Sequence, residues 1–159
     1  MAISHFQPLI LLLLVSLFVL PALSVSFGNC RSRNEYPVNV ATVNISPYPV
    51  KRSTNGNFTI TGNTSKDIPD GATVKLELST FVPISEKTYP LCDVTTCPVK
   101  TGPFVITLSN VFTPKEIKSG GYAVTVSITD EDVREPMMCV VFACKIKRGY
   151  ASLLSQVTE

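Results

Sequence analysis

Every long apolar stretch between Val38 and Lys147 repeats with a period of two. Val74, Leu76 and Leu78 alternate with Lys75, Glu77 and Ser79. Tyr122, Val124, Val126 and Ile128 alternate with Ala123, Thr125, Ser127 and Thr129. Phe58 with Ile60, and Phe104 with Ile106 and Leu108, keep the same spacing. Successive side chains of a strand point to opposite faces, so each run reads as a strand with one buried face. Val38 and Val40 keep one parity and Val43 and Ile45 the other, which predicts a bulge near Ala41-Thr42. The last run, Cys139 to Lys147, places Val140, Phe142, Cys144 and Ile146 on one face and Cys139, Val141 and Ala143 on the other. Turn signals separate the runs: Asn55-Gly56, Pro69-Asp70-Gly71, Thr101-Gly102-Pro103, Gly120-Gly121 and Asp130-Glu131-Asp132. One helical turn is expected over Thr113–Lys118, with Pro114 in its first position. Strands of this number and length predict an all-β fold, two antiparallel sheets packed as a sandwich. The immunoglobulin signature is incomplete, because the chain has no Trp.

Leu9 to Leu20 reads LILLLLVSLFVL, followed by Pro21 and small residues. At about twelve residues the run is too short to span a bilayer, and it reads as a secretory signal peptide over residues 1–24. Cleavage after Ser24 or Ser26 fits a small-x-small rule. A single domain over residues 27–149 and a loose tail over 150–159 would remain, which is roughly the size of one domain. The expected location is the secretory pathway, ending outside the cell or in a vacuolar or endomembrane lumen. Three sequons agree with that route: Asn44-Ile45-Ser46, Asn57-Phe58-Thr59 and Asn63-Thr64-Ser65.

All five cysteines follow the signal segment. Cys139 and Cys144 lie in one extended run, where five residues separate Cα atoms by roughly 16 Å. A disulfide needs about 4.4–6.8 Å, so that pair does not close. Cys92 and Cys97 flank a short loop and are expected to pair. Cys144 shares the bulky apolar face and reads as a buried free thiol. Cys139, at the strand start, is the better partner for Cys30. A four-thiolate zinc site is disfavoured in an oxidising compartment, and no metal is expected.

The one histidine, His5, precedes the apolar run. The mature chain is thus expected to lack imidazole, which removes Ser-His-Asp and Cys-His catalysis and His-ligated zinc. No Gly-x-Ser-x-Gly elbow occurs. Asp130-Glu131-Asp132 reads as a solvated turn rather than a calcium site. A net charge of +2 is too small to argue for nucleic acid, and Lys145-Ile146-Lys147-Arg148 reads as a solvated strand end. The chain is expected not to be an enzyme and to use no cofactor.

An ordered set of residues carries a family resemblance. It comprises Cys30, Val43-Asn-Ile-Ser-Pro-Tyr-Pro-Val50, Phe81-Val-Pro-Ile84, Leu91-Cys-Asp-Val-Thr-Thr-Cys-Pro-Val99, Gly121-Tyr-Ala-Val-Thr-Val-Ser-Ile-Thr-Asp130 and Cys139. The set resembles the ML (lipid-recognition) family, which includes the Niemann–Pick type C cholesterol carrier, mite allergens and phosphatidylglycerol/phosphatidylinositol transfer proteins. Ser46-Pro-Tyr-Pro49 and the Leu91-Cys-Asp motif look most like its plant branch. The resemblance implies an immunoglobulin-like sandwich with an apolar cavity between its sheets. It also implies a first-to-last disulfide, matching Cys30 and Cys139, and a short loop pair, matching Cys92 and Cys97. The family's third pair has no counterpart, since Tyr48 stands at one of its positions and Cys144 is extra.

A carrier needs an incompletely filled apolar interior, and each buried methylene contributes about 0.8 kcal/mol. The expected lining is Phe58, Ile60, Val74, Leu76, Leu78, Phe104, Ile106, Leu108, Tyr122, Val124, Val126, Ile128, Val140 and Phe142. By place in the family pattern, Phe81, Val82, Ile84, Val99 and Lys100 form the entrance, with Lys100 a candidate for a phosphate head group. The expected function is to hold a sterol or phospholipid and exchange it with membranes. The expected partners are that lipid, a transient membrane contact and a possible membrane-protein receptor. An extracellular protein-recognition sandwich, with lipid incidental, is the alternative from a different class.

Overall fold

The computed structural model describes residues 24–31, 36–51, 56–112, 118–130, 133 and 135–147. The signal segment before Ser24, residues 113–117 of the turn expected over Thr113–Lys118, Glu131, Asp132 and the tail 150–159 lie outside the described residues. The described residues form nine strands and one helical turn, in order: β1 (Phe27–Asn29), β2 (Val38–Ser46), β3 (Val50–Lys51), β4 (Asn57–Thr64), β5 (Thr73–Ser79), β6 (Pro83–Pro90), α1 (Leu91–Val94), β7 (Gly102–Leu108), β8 (Gly120–Thr129) and β9 (Met138–Lys147). They form two sheets, one ordered β1-β9-β8-β5-β6 and the other β2-β4-β7. The two layers make the all-β sandwich that the period-two pattern predicts. All ladders are antiparallel except one, β3 beside β9, which runs parallel over two residues.

The register explains why the alternation works. Val74 stands opposite Ile128, Leu76 opposite Val126 and Leu78 opposite Val124, so one row of inward residues crosses both strands. The row continues into β9, where Val124 meets Phe142 and Val126 meets Val140. In the smaller sheet Phe58 meets Leu108 and Ile60 meets Ile106. The parity slip in β2 is a register shift between Val40 and Thr42. Gly62 lies against it: a Cβ there would come 2.2 Å from the Asn39 carbonyl oxygen, so only glycine fits the close approach.

Strand β6 had no readable apolar stripe. Its inward residues are Ser85, Lys87 and Tyr89, half-buried, while Ile84, Glu86 and Thr88 are exposed. The strand is a sheet edge, where proline at the ends and an inward charge are tolerated and block further pairing. The Pro83–Pro90 segment is therefore an edge strand paired to β5. Strands β1 and β3 and the turn α1 are too short to leave a period.

The two flanks of the sandwich differ. On the β2/β9 flank a strap crosses between layers. Ser24 bridges Asn44, the Val25 amide donates to the Val43 carbonyl at 2.8 Å, and β1 then pairs with β9. The Cys30–Cys139 disulfide and a bond from the Val38 amide to the Met137 carbonyl at 3.2 Å tie the same flank. On the other flank no ladder joins β6 to β7. At one end the chain itself crosses, through α1 and residues 95–101, where Thr95 Oγ1 donates to the Val105 carbonyl at 2.6 Å; farther along, Lys87 Nζ donates to the Val111 carbonyl at 2.6 Å.

Candidate functional site

The interior draws on both layers. Phe58, Ile60, Phe104, Ile106 and Leu108 come from the smaller sheet. Val74, Leu76, Leu78, Tyr122, Val124, Val126, Ile128, Val140 and Phe142 come from the larger. All fourteen are buried and belong to one apolar cluster. The cluster also holds residues outside the expected lining, among them Val43, Val50, Leu91, Val111, Phe112, Met138 and Ile146. Val43 was legible from its period; Leu91 opens α1 and Phe112 lies beyond the end of β7, where no strand period marks them.

The layers touch directly at one end. The Phe58 and Phe142 rings, from opposite sheets, meet edge to face at 5.3 Å and 85°. Phe112 packs on Phe58 in the same manner at 5.7 Å and 82°. The space expected between the sheets is thus occupied at this end by the chain's own aromatics. Clefts formed by described residues lie elsewhere, on the outside. One, about 570 Å³, is lined by Arg31, Tyr36, Lys66, Asp67, Asp130 and Glu135 with neighbouring prolines. Another, about 540 Å³, runs over Thr95, Val99, Lys100 and Phe104.

The five residues expected at the entrance fall into two groups. Phe81, Val82 and Ile84 cap the β5–β6 turn, with Phe81 fully exposed at 105% and Val82 at 63%. Val99 is buried at the opposite end, where its carbonyl accepts from the Ile68 amide at 3.0 Å. Strand β6 separates the groups by its whole length, roughly 25 Å. They do not form one mouth, because the segment between them is extended rather than looped.

Lys100 is exposed and engaged. Its Nζ pairs with Asp67 Oδ2 at 2.9 Å. The Thr101 amide and hydroxyl donate to Asp67 Oδ1 at 2.8 and 3.0 Å. The bond from Lys100 first, then those from Thr101, hold the Asp67 carboxyl below the usual carboxylate range, and Asp67 raises the Lys100 amine in return. Both side chains are more than half exposed, so the pair adds little to stability. The cation that lies on the open seam is Lys87, on the inner face of β6. Sequence reading passed over it because its strand carries no apolar stripe.

Cys30 bonds Cys139 and Cys92 bonds Cys97. Asp70 lies beside Cys92 and Cys97, but both sulfurs are spent on each other, leaving a single carboxylate. Cys144 is a buried free thiol, and burial pushes its ionisation up to about 12 from an ordinary 9.0. An unfolded thiol ionises near the ordinary value while the native one stays protonated. Stability is therefore held below about pH 9 and erodes as pH climbs toward 12. Cys144→Ala should flatten that alkaline limb of an unfolding-midpoint profile, and the wild-type thiol should resist a thiol reagent until denaturant is added. Rapid native labelling would contradict the buried placement.

Of the sequon asparagines, Asn57 and Asn63 are exposed, and Asn57 Oδ1 accepts from the Asn110 amide at 3.2 Å. Asn44 is half-buried under the Ser24 bridge, with its Oδ1 buried and lacking a hydrogen-bond partner.

Comparison with known proteins places this geometry. A family model described as the ML domain matches residues 24–146. The chain is 54% identical to the MD-2-related lipid-recognition protein ROSY1 of Arabidopsis thaliana over 162 aligned residues, covering all of both chains. Its fold is similar to that of a Niemann-Pick type C2 protein from Japanese carpenter ant, with TM-score 0.60 and 19% identity, over 77% of this chain and 99% of that one. It is also similar to chicken MD-1 complexed with lipid IVa, with TM-score 0.52 and 19% identity, over 77% and 94% of the two chains. With two sheets, a strap on one flank, an unladdered seam on the other and a family match across nearly the whole sandwich, the chain belongs to the ML-domain family.

Proposed function

We propose that this protein is a non-enzymatic carrier that holds one lipid between its sheets and exchanges it with membranes. The observation that carries the reading is the asymmetry of the flanks. The β2/β9 side is stitched by a strap and a disulfide, while on the β6/β7 side the chain crosses at one end, through residues 91–101, and no ladder joins the two strands beyond it. Layers joined this way can part along the seam like a hinge without breaking a sheet ladder. The interior that would open is apolar on both walls. An acyl chain of sixteen carbons gains roughly 12 kcal/mol on leaving water, before ordering costs. That is enough to displace the Phe58–Phe142 contact, because aromatic pairs contribute only about 0.5–1.5 kcal/mol beyond their burial.

The seam also suits an amphiphile. Ser85, Lys87 and Tyr89 line its β6 edge, so the polar end of a phospholipid would meet hydrogen-bond donors as its tail enters. The two disulfides fit the oxidising lumen where such a carrier would travel.

Native mass spectrometry with lipid extraction tests the reading. The purified protein, or protein incubated with phospholipid or sterol vesicles, should carry one lipid per chain. It should then deliver that lipid from donor to acceptor vesicles. A chain that stays empty, and whose unfolding midpoint is unmoved by either lipid, would favour the protein-recognition alternative.

A further inference from the structure

Charge is segregated along the long axis of the sandwich. At the end where β4, β6 and β8 finish, the connections carry Asp67, Asp70, Asp93, Asp130 and Glu135 among cations. The opposite end is different. Lys51 on β3, Lys118 before β8, and Lys145 and Lys147 at the end of β9 are all exposed there. None of the four is in an ion pair with a described residue. The nearest described acids, Glu77 and Glu86, lie mid-strand, and Glu86 is paired with Lys75 at 2.8 Å.

The same end carries the apolar tip. Strands β6, β5, β8, β9 and β3 stand side by side, so Phe81 and Val82 at the β5–β6 turn and Lys51 on β3 bracket a line of strand ends roughly 20 Å long. Phe81 at 105% exposure and Val82 at 63% hold apolar surface in water with no partner in the fold. An apolar tip flanked by unpaired lysines is complementary to one kind of surface: acyl chains beneath anionic head groups.

We propose that this end of the sandwich docks on an anionic bilayer. Phe81 and Val82 enter the acyl boundary, and Lys51, Lys118, Lys145 and Lys147 lie over the head groups. The inference rests on the carrier reading and adds the lipid charge that the carrier senses and its orientation. Strand β6 rises from the docked tip, so the seam opens toward the membrane at its Ile84 end.

The test is co-sedimentation of the full chain with vesicles of phosphatidylcholine alone or mixed with phosphatidylserine. Wild type should bind the mixed vesicles far better, and binding should fall as salt is raised. Lys145→Glu with Lys147→Glu should lose at least roughly ten-fold in affinity for mixed vesicles, since each lysine near such a surface contributes about five-fold. Phe81→Ser should weaken binding at every salt concentration. The lysine variants should still hold lipid loaded in solution. Equal binding to both vesicle types, or variants that bind like wild type, would overturn the docking surface. Salt-sensitive, variant-sensitive binding by a chain that holds no lipid would keep the docking surface and remove the carrier.

Discussion

Serine at both Cys30 and Cys139 is expected to lower the unfolding free energy by about 4–5 kcal/mol, the largest single loss foreseen for this chain. The bond closes a loop with a sequence separation of 109. In the chain-entropy model, constraining that much chain in the unfolded state is where the stabilisation arises. The native state adds a second reason. The bond anchors the strap whose strand β1 has only three residues, too few to hold the β2/β9 flank by its own ladder. Both cysteines must be replaced together, so that neither half of the pair is left as a reactive thiol that could crosslink two chains. Cys92 and Cys97 give an internal comparison. Their separation is 5, so the same model assigns the loop only about 2 kcal/mol. Urea unfolding of the two double-serine variants reads the difference. A Cys30/Cys139 variant that unfolds no earlier than the Cys92/Cys97 variant would contradict the role given to the flank.

The fold was legible because the buried faces are written in period two. Val74-Leu76-Leu78 and Tyr122 to Ile128 announce their faces, and the parity slip at Ala41-Thr42 is where the register shifts. Strand β6 was not legible, since an edge strand buries one face only in part and its inward residues are Ser85, Lys87 and Tyr89. That omission displaced the entrance. Reading Phe81–Ile84 and Val99-Lys100 as neighbours assumes that the chain between them loops back, whereas it runs straight for eight residues. Lys87 was hidden for the same reason. The basic end was hidden for another: its lysines come from β3, the start of β8 and the end of β9, and only the sheet order brings them side by side.

Phe58→Ala separates a carrier interior from an ordinary core. Phe58 is fully buried, touches Phe142 across the layers and packs on Phe112 beyond the end of β7. Truncating a buried phenylalanine typically costs about 3–5 kcal/mol, through lost transfer energy and the cavity left behind. Without lipid the variant should lose that amount in chemical denaturation. With saturating lipid the two readings part. In a filled core no ligand can use the vacated volume, so wild type and variant should differ equally with and without lipid. In a carrier the ring competes with the ligand for the same space, so its removal lowers the cost of loading. Lipid should then raise the unfolding midpoint of Phe58→Ala by more than it raises that of wild type, because stabilisation by a ligand grows with its affinity for the native state. A variant destabilised to the same extent in both conditions would mean that the Phe58 ring and the lipid do not share a site. The seam would then have to open onto some other part of the sandwich, or onto none.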